Sequence, residues 1–229
     1  MGGRVARPIL CAGGRARAQV ATPWRRCDTV VTVPSPRESP SAAPRPPQPG
    51  SAELGGAGGE VVLDAAQIAG RVGGLAGEIA AAYANLVRPL VLVCVLKGSV
   101  FFTVDLARAL RIPVVMDFIA VRSYQGTRSG GTVELVKDIG MPLQDRDVLL
   151  VEDIIDTGLT TSFLLDHIGQ HRPRSLRLVA LLDKKGHRQR DVHVDFTGFR
   201  IPDRFVVGYG LDIDERWRNL PDVRTLEGV

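Results

Sequence analysis

The chain has 229 residues, 45% hydrophobic and 24% charged, which suits one globular domain with a real core plus a tail. It contains no apolar run of the roughly 18 residues that a spanning helix needs, so no membrane segment is expected. The net charge of +4 is uneven: residues 1–59 hold eight Arg, no Lys and three acids, leaving residues 60–229 near −1, so the basic balance gives no reason to expect specific nucleic-acid binding by the folded part.

Residues 1–59 carry nine of the fifteen prolines, with the stretch PSPRESPSAAPRPPQPG at 34–50. Such a segment buries too little apolar surface to offset its ordering entropy, so it is expected to be disordered. Three readings of it stay open: a functionless extension, an Arg-rich and acid-poor organelle transit peptide, or a regulatory arm. A single domain is expected over residues 60–229. Asp64 and Gln67 form a capping-box pair, and Ile68, Val72, Leu75 and Ile79 follow at helical spacing until Arg88-Pro89. Leu90–Leu96 (LVLVCVL) is a continuous apolar run of strand length, followed from Gly98 by a second helix. Pro113–Val121 reads as a strand and Arg122–Thr132 as a polar, Gly-rich mobile loop. Asp147–Val151 is another buried strand, with a loop and then a helix near Thr160–Gly169. Ser175–Leu182, Val192–Phe199 and Arg204–Val207 are further strands. Cys11, Cys27 and Cys94 show no pairing or zinc spacing, which fits a reducing compartment such as the cytoplasm, with organelle targeting through the tail as the alternative.

Fully apolar strands alternating with helices imply an α/β fold with a mostly parallel sheet covered on both faces. Ligands in such folds bind beyond the carboxyl ends of the strands. That directs attention to Lys97-Gly98, Glu152–Thr160 and Asp183–Lys185. The strongest signal is 149–161, LLVEDIIDTGLTT. An apolar strand delivers the carboxylates Glu152 and Asp153 to its end. Asp156-Thr157-Gly158-Leu159-Thr160 then makes a tight turn that opens a helix. Gly158 allows close backbone approach, the threonines offer hydroxyls, and helix-start N–H groups attract phosphate. Paired carboxylates beside a phosphate site suit ribose hydroxyls or a hydrated magnesium ion. His167 and His171 stand four apart on a helix, but no acid nearby in sequence completes a metal set, so they read as a solvated face.

Residues 149–161 resemble the phosphoribosyl pyrophosphate (PRPP) signature of the type I phosphoribosyltransferases, and Glu-Asp-Ile-Ile-Asp-Thr-Gly is similar to the hypoxanthine-guanine form. Four further segments agree in order. Leu96-Lys97-Gly98-Ser99 resembles the pyrophosphate loop, where a cis peptide precedes the Lys. Ser123-Tyr124 resembles the start of the catalytic lid, Asp183-Lys184-Lys185 the strand end whose Lys reads the base, and Phe205–Asp212 the purine-pocket segment. The resemblance covers about residues 60–224 and implies the type I fold with a small hood. It also implies transfer of the 5-phosphoribosyl group from PRPP to a 6-oxopurine base, hypoxanthine and guanine, with Mg²⁺ as cofactor and a homodimer or homotetramer as the assembly.

Carried over by position, Asp156 handles the proton at the imidazole side of the base. Glu152 and Asp153 face the ribose hydroxyls and metal, and Thr157, Gly158, Leu159 and Thr160 cradle the 5′-phosphate. Lys97, Gly98 and Arg218 bind pyrophosphate, with Arg216 and Arg224 as near competitors of Arg218. Lys184 donates to O6 of the base, Phe205 stacks on it and Val206 offers backbone groups. Asp212 borders the purine pocket and supplies a metal-side carboxylate. Leu159 replaces a Lys found in some relatives. Two alternatives stay open: a xanthine- or guanine-preferring transferase, and a PRPP-sensing nucleic-acid-binding regulator on the same fold.

Overall fold

In the computed structural model the described residues are 59–124, 132–184, 186 and 188–226. The expected disordered tail therefore lies outside them, apart from Gly59, as do residues 125–131 of the expected Arg122–Thr132 loop. Two sheets organise the domain. Five parallel strands, β2 (Leu90–Leu96), β3 (Val114–Tyr124), β5 (Asp147–Ile155), β6 (Ser175–Lys184) and β7 (Phe196–Ile201), join an antiparallel edge strand β4 (Thr132–Lys137) in the order β4-β3-β2-β5-β6-β7. A small antiparallel sheet, order β1-β9-β8, is made of β1 (Val61–Leu63), β8 (Val206–Val207) and β9 (Val223–Thr225).

The continuous apolar runs are explained by burial on both sheet faces. Leu90 and Leu92 of β2 join one core with Ile68, Val72, Leu75 and Ile79 of α1 (Ala65–Ala82) and Phe102 and Leu106 of α2 (Val100–Ala109). Val91, Val93 and Val95 point the other way, into a core with Leu164 and Ile168 of α3 (Leu159–Gln170). Each fully buried Leu, Ile or Phe contributes about 1.5–3 kcal/mol by leaving water, so a period-2 pattern would have left one face unsealed. Cys94 is buried in β2, 3.3 Å from Ser99 Oγ. Among the described residues, no helix is long and apolar enough to cross a membrane.

Several boundaries differ from the sequence reading; β5, for one, continues past Val151 to Ile155, so the carboxylate pair lies on the strand. The capping box exists, with Asp64 accepting from Gln67 N at 2.8 Å and Gln67 Oε1 accepting from Asp64 N at 2.9 Å. The helix it starts, however, stops at Ala82 rather than at Arg88-Pro89. Tyr83 turns into the core there, and its hydroxyl donates to Val148 O at 3.3 Å. The segment read as a loop from Arg122 is strand through Tyr124 and resumes as β4. Its polarity misled because an edge hairpin keeps one face in solvent: Leu135 packs on the core while Val136 stays exposed, and Arg122 pairs across from Glu134. β7 begins at Phe196, not Val192, because Val192 and Val194 pack on the α3-side core before the strand starts. Finally, only Val206–Val207 of the expected Arg204–Val207 strand pairs, and it does so in the small sheet.

Candidate active site

β2 is flanked by β3 on one side and β5 on the other, so the chain leaves its carboxyl end in one direction and returns in the other. Open α/β sheets place their ligand crevice at that reversal. Here the carboxyl ends of β2 and β5 border a cleft of about 300 Å³. Ten of the residues singled out from sequence line it: Lys97 and Gly98 after β2; Glu152, Asp153, Asp156, Thr157, Gly158 and Thr160 from β5 and its turn; and Asp212 and Arg218 from the C-terminal segment. A larger hollow of about 440 Å³ lies beside β7, bordered by Asp183, Arg188, Asp191, His193 and Arg200, but it has neither the strand-end carboxylate pair nor the turn.

Gly158 is the last residue before α3 and adopts φ +80°, the left-handed region that L side chains avoid. A Cβ there would lie 2.5 Å from Arg190 O. The same segment buttresses the turn from behind, with Gln189 N and Arg190 N donating to Thr157 O at 2.9 and 3.1 Å. The turn therefore has the backbone shape that lets a helix start meet a phosphate. Asp156 is not the helix cap, since Gly158 holds that position without a side-chain bond.

Glu152 is buried, and Thr161 Oγ1 donates to its Oε1 at 3.4 Å. Burial, and then the charge of Asp153, hold the Glu152 carboxyl well above the usual range. Burial likewise pushes Asp153 up to about 6, opposed in part by the Arg218 guanidinium. The neutral form of each carboxyl is thus stabilised relative to a free carboxylate, an effect that a nearby cation would offset. Gly98 packs directly on Asp153: a Cβ on it would meet Oδ2 at 1.7 Å. The Leu96–Lys97 peptide is cis, as the resemblance implies.

Glu215 was missed in the sequence. It lies between the two expected pyrophosphate cations, with Lys97 Nζ 3.0 Å from Oε1 and Arg218 Nη2 3.2 Å from Oε2. Its i, i+3 spacing to Arg218 was the available signal. Arg218 also reaches Asp212 Oδ1 at 2.7 Å and donates to Gly210 O at 2.8 Å. Arg218, rather than Arg216 or Arg224, lines the cleft; Arg224 is engaged by Asp222 at 2.7 Å. Asp212 thus stands in the cleft beside the expected pyrophosphate-side cation Arg218.

Asp156 bridges the two halves of the site. Its Oδ1 is buried with no hydrogen-bond partner among the described residues, and its Oδ2 is 3.8 Å from Lys184 Nζ. Lys184 is buried at the end of β6 and also lies 3.9 Å from Asp203. Phe205 is 44% exposed, which excludes plain core packing as its role, whereas the Val206 side chain is buried. Leu159 is the first residue of α3, and its N–H donates to Thr157 Oγ1 at 3.4 Å. Leu159, Lys184, Phe205 and Val206 do not line the phosphate-side cleft. Ser123 and Tyr124 close β3, in register with Val133 and Thr132.

Residues 59–214 match the family described as phosphoribosyl transferase domain. The chain belongs to the phosphoribosyltransferase family. Among its relatives in this family, the hypoxanthine-guanine phosphoribosyltransferase of Mycobacterium avium is 46% identical over 172 residues, spanning 73% of this chain and 85% of that protein. That of Aquifex aeolicus is 43% identical over 169 residues, spanning 73% and 94%. A point variant of Trypanosoma cruzi hypoxanthine phosphoribosyltransferase, solved as a ternary substrates complex, superposes with TM-score 0.70 at 41% identity, covering 73% of this chain and 95% of that one. This phosphoribosyltransferase shares with them the hypoxanthine-guanine type of sequence and the mostly parallel sheet.

Proposed function

We propose that the protein works in purine salvage, moving the 5-phosphoribosyl group of PRPP onto N9 of hypoxanthine or guanine and releasing pyrophosphate. One observation carries the reading: a partnerless carboxylate oxygen on Asp156 stands between a phosphate-type turn and a buried Lys184. The turn Thr157–Thr160 would hold the 5′-phosphate through helix-start N–H groups and hydroxyls. Lys97 and Arg218 would exchange Glu215 for pyrophosphate oxygens and stabilise the charge that grows there as the C1′–O bond lengthens. Asp156 would accept or return the proton at the imidazole side of the base. Glu152 and Asp153 would hold the ribose hydroxyls. The segment 125–131 would act as the lid, keeping water from the sugar cation.

The acidic cluster fits Mg²⁺, a hard cation that takes oxygen ligands and keeps much of its water. Two carboxyls with raised pKa, the buried Glu152 and the partly buried Asp153, offer those oxygens, with Asp212 nearby in the same cleft. When bound, the ion supplies electrostatic neutralisation of the PRPP oxygens. The sequence relationship further points to a homodimer or homotetramer, and the absence of Cys pairing patterns to a cytoplasmic setting.

An ammonium can only donate hydrogen bonds, so Lys184 suits the keto oxygen of a 6-oxopurine and suits the amino group of adenine poorly. Pyrophosphate release in the presence of PRPP and Mg²⁺ should therefore appear with hypoxanthine and guanine and be absent with adenine. Release with adenine alone would defeat the reading. Lys184→Ala should raise the KM for the base by about 10- to 100-fold, the scale of one charged hydrogen bond of about 1.5–3 kcal/mol. PRPP binding should change much less; equal losses for both substrates would remove Lys184 from the base pocket.

The carboxylate pair also predicts a pH signature in the metal-free protein. The folded-state pKa of Asp153 is raised, so the native state binds the proton more tightly than the unfolded chain does. Its contribution is fully present below about pH 4 and is lost as pH rises through about 6. Asp153→Asn should thus melt higher than the parent at pH 8, by about 1–3 kcal/mol of stability, and match it near pH 4. Parallel melting curves across that range would contradict the raised Asp153 carboxyl.

A further inference from the structure

The face of α3 remote from the phosphate turn carries a second cluster of ligand-type side chains. His167 and His171 project from one side of the helix end, four residues apart. Their rings lie 5.4 Å apart, centroid to centroid, at an interplanar angle of 73°. The chain between β4 and β5 then brings in Asp138, whose Oδ1 is 2.8 Å from His167 Nε2. One donor atom from each of the three lies within 4.8 Å of the other two. Phe163 stacks on the His167 ring, with an interplanar angle of 9°, and so restrains the imidazole. The sequence reading sought an acid close in sequence, whereas the fold supplies one 29 residues away.

We propose that Asp138, His167 and His171 form a binding site for a divalent transition-metal ion, zinc being the best match. Two imidazoles and one carboxylate form a donor set suited to zinc, and three protein ligands leave the fourth tetrahedral position to water. The hydrogen bond between Asp138 and His167 already holds two of the donors together. Asp138 directly follows β4, and β4 begins where the lid segment ends. An ion held here would pin the return arm of that hairpin to α3, the helix that starts at the phosphate turn. The two ends of α3 are about 18 Å apart, so this site is distinct from the carboxylate pair in the cleft.

The test is calorimetric titration of the full-length, reduced protein with zinc chloride in saturating magnesium, which keeps the cleft carboxylates engaged. The parent should show one tight site. Asp138→Asn and His171→Asn should each weaken it at least about 10-fold, a loss that even partners of metal ligands produce. Both variants should keep the parent's transferase rate in magnesium alone. Asp138→Asn preserves the side-chain shape, so it remains informative if the His variant does not fold. No zinc binding by the parent, or unchanged zinc affinity in a folded Asp138→Asn protein, would overturn the proposal.

Discussion

Asp156→Asn should lower turnover by roughly 10²-fold or more, the usual loss when a positioned acid–base group is removed. The substitution keeps the shape of the side chain and its place beside Lys184, and replaces a proton-accepting oxygen by an amide. Because the carboxylate is nearly half exposed and does not cap α3, the fold should be little affected. The 5′-phosphate turn is also untouched, so the KM for PRPP should stay within a few-fold of the parent. Steady-state kinetics with hypoxanthine and guanine check both statements. Normal turnover with collapsed PRPP affinity would assign Asp156 to sugar-phosphate binding and remove it from the proton transfer.

Gly98→Ala should cost about as much, for a steric reason. The added Cβ would lie 1.7 Å from Asp153 Oδ2 and 2.6 Å from its Cγ, against an ordinary contact of 3.4–4 Å. The carboxylate must therefore shift by well over an ångström, and displacements of about 1 Å at a reacting site can cost on the order of 10²-fold in rate. The loss should fall on kcat/KM and on the magnesium dependence, with the circular dichroism unchanged. Gly77→Ala makes a clean control. Nothing lies within 4 Å of its added methyl in α1, so activity should be retained and stability should rise by about 0.5–1 kcal/mol. A fully active Gly98→Ala enzyme would mean that Asp153 is not held where the cleft needs it.

The central strands were legible because burial on both faces leaves no room for polar residues, so Leu90–Leu96 and Asp147–Val151 announce themselves as unbroken apolar runs. The site was legible for a related reason: phosphate and ribose demand specific groups at fixed offsets from a strand end, and 149–161 supplies them in one stretch. Edge elements were harder. β4 alternates polar and apolar residues beside a Gly-rich segment, and its pairing with β3 is a tertiary fact. Contacts between distant segments were not readable at all. Glu215 reaches Lys97, and Asp138 reaches His167 and His171, only through the tertiary fold. The helix end at Tyr83 likewise depended on where the ring could be buried.

The most direct trial of the account is a crystal structure with the product nucleotide inosine monophosphate. Its phosphate should rest on the N–H groups and hydroxyls of Thr157 to Thr161, with N7 within hydrogen-bonding reach of Asp156, O6 on Lys184 Nζ and the ring against Phe205. A nucleotide seated instead in the hollow beside β7, between Arg188 and Arg200, or bound with its base turned away from Asp156, would contradict it.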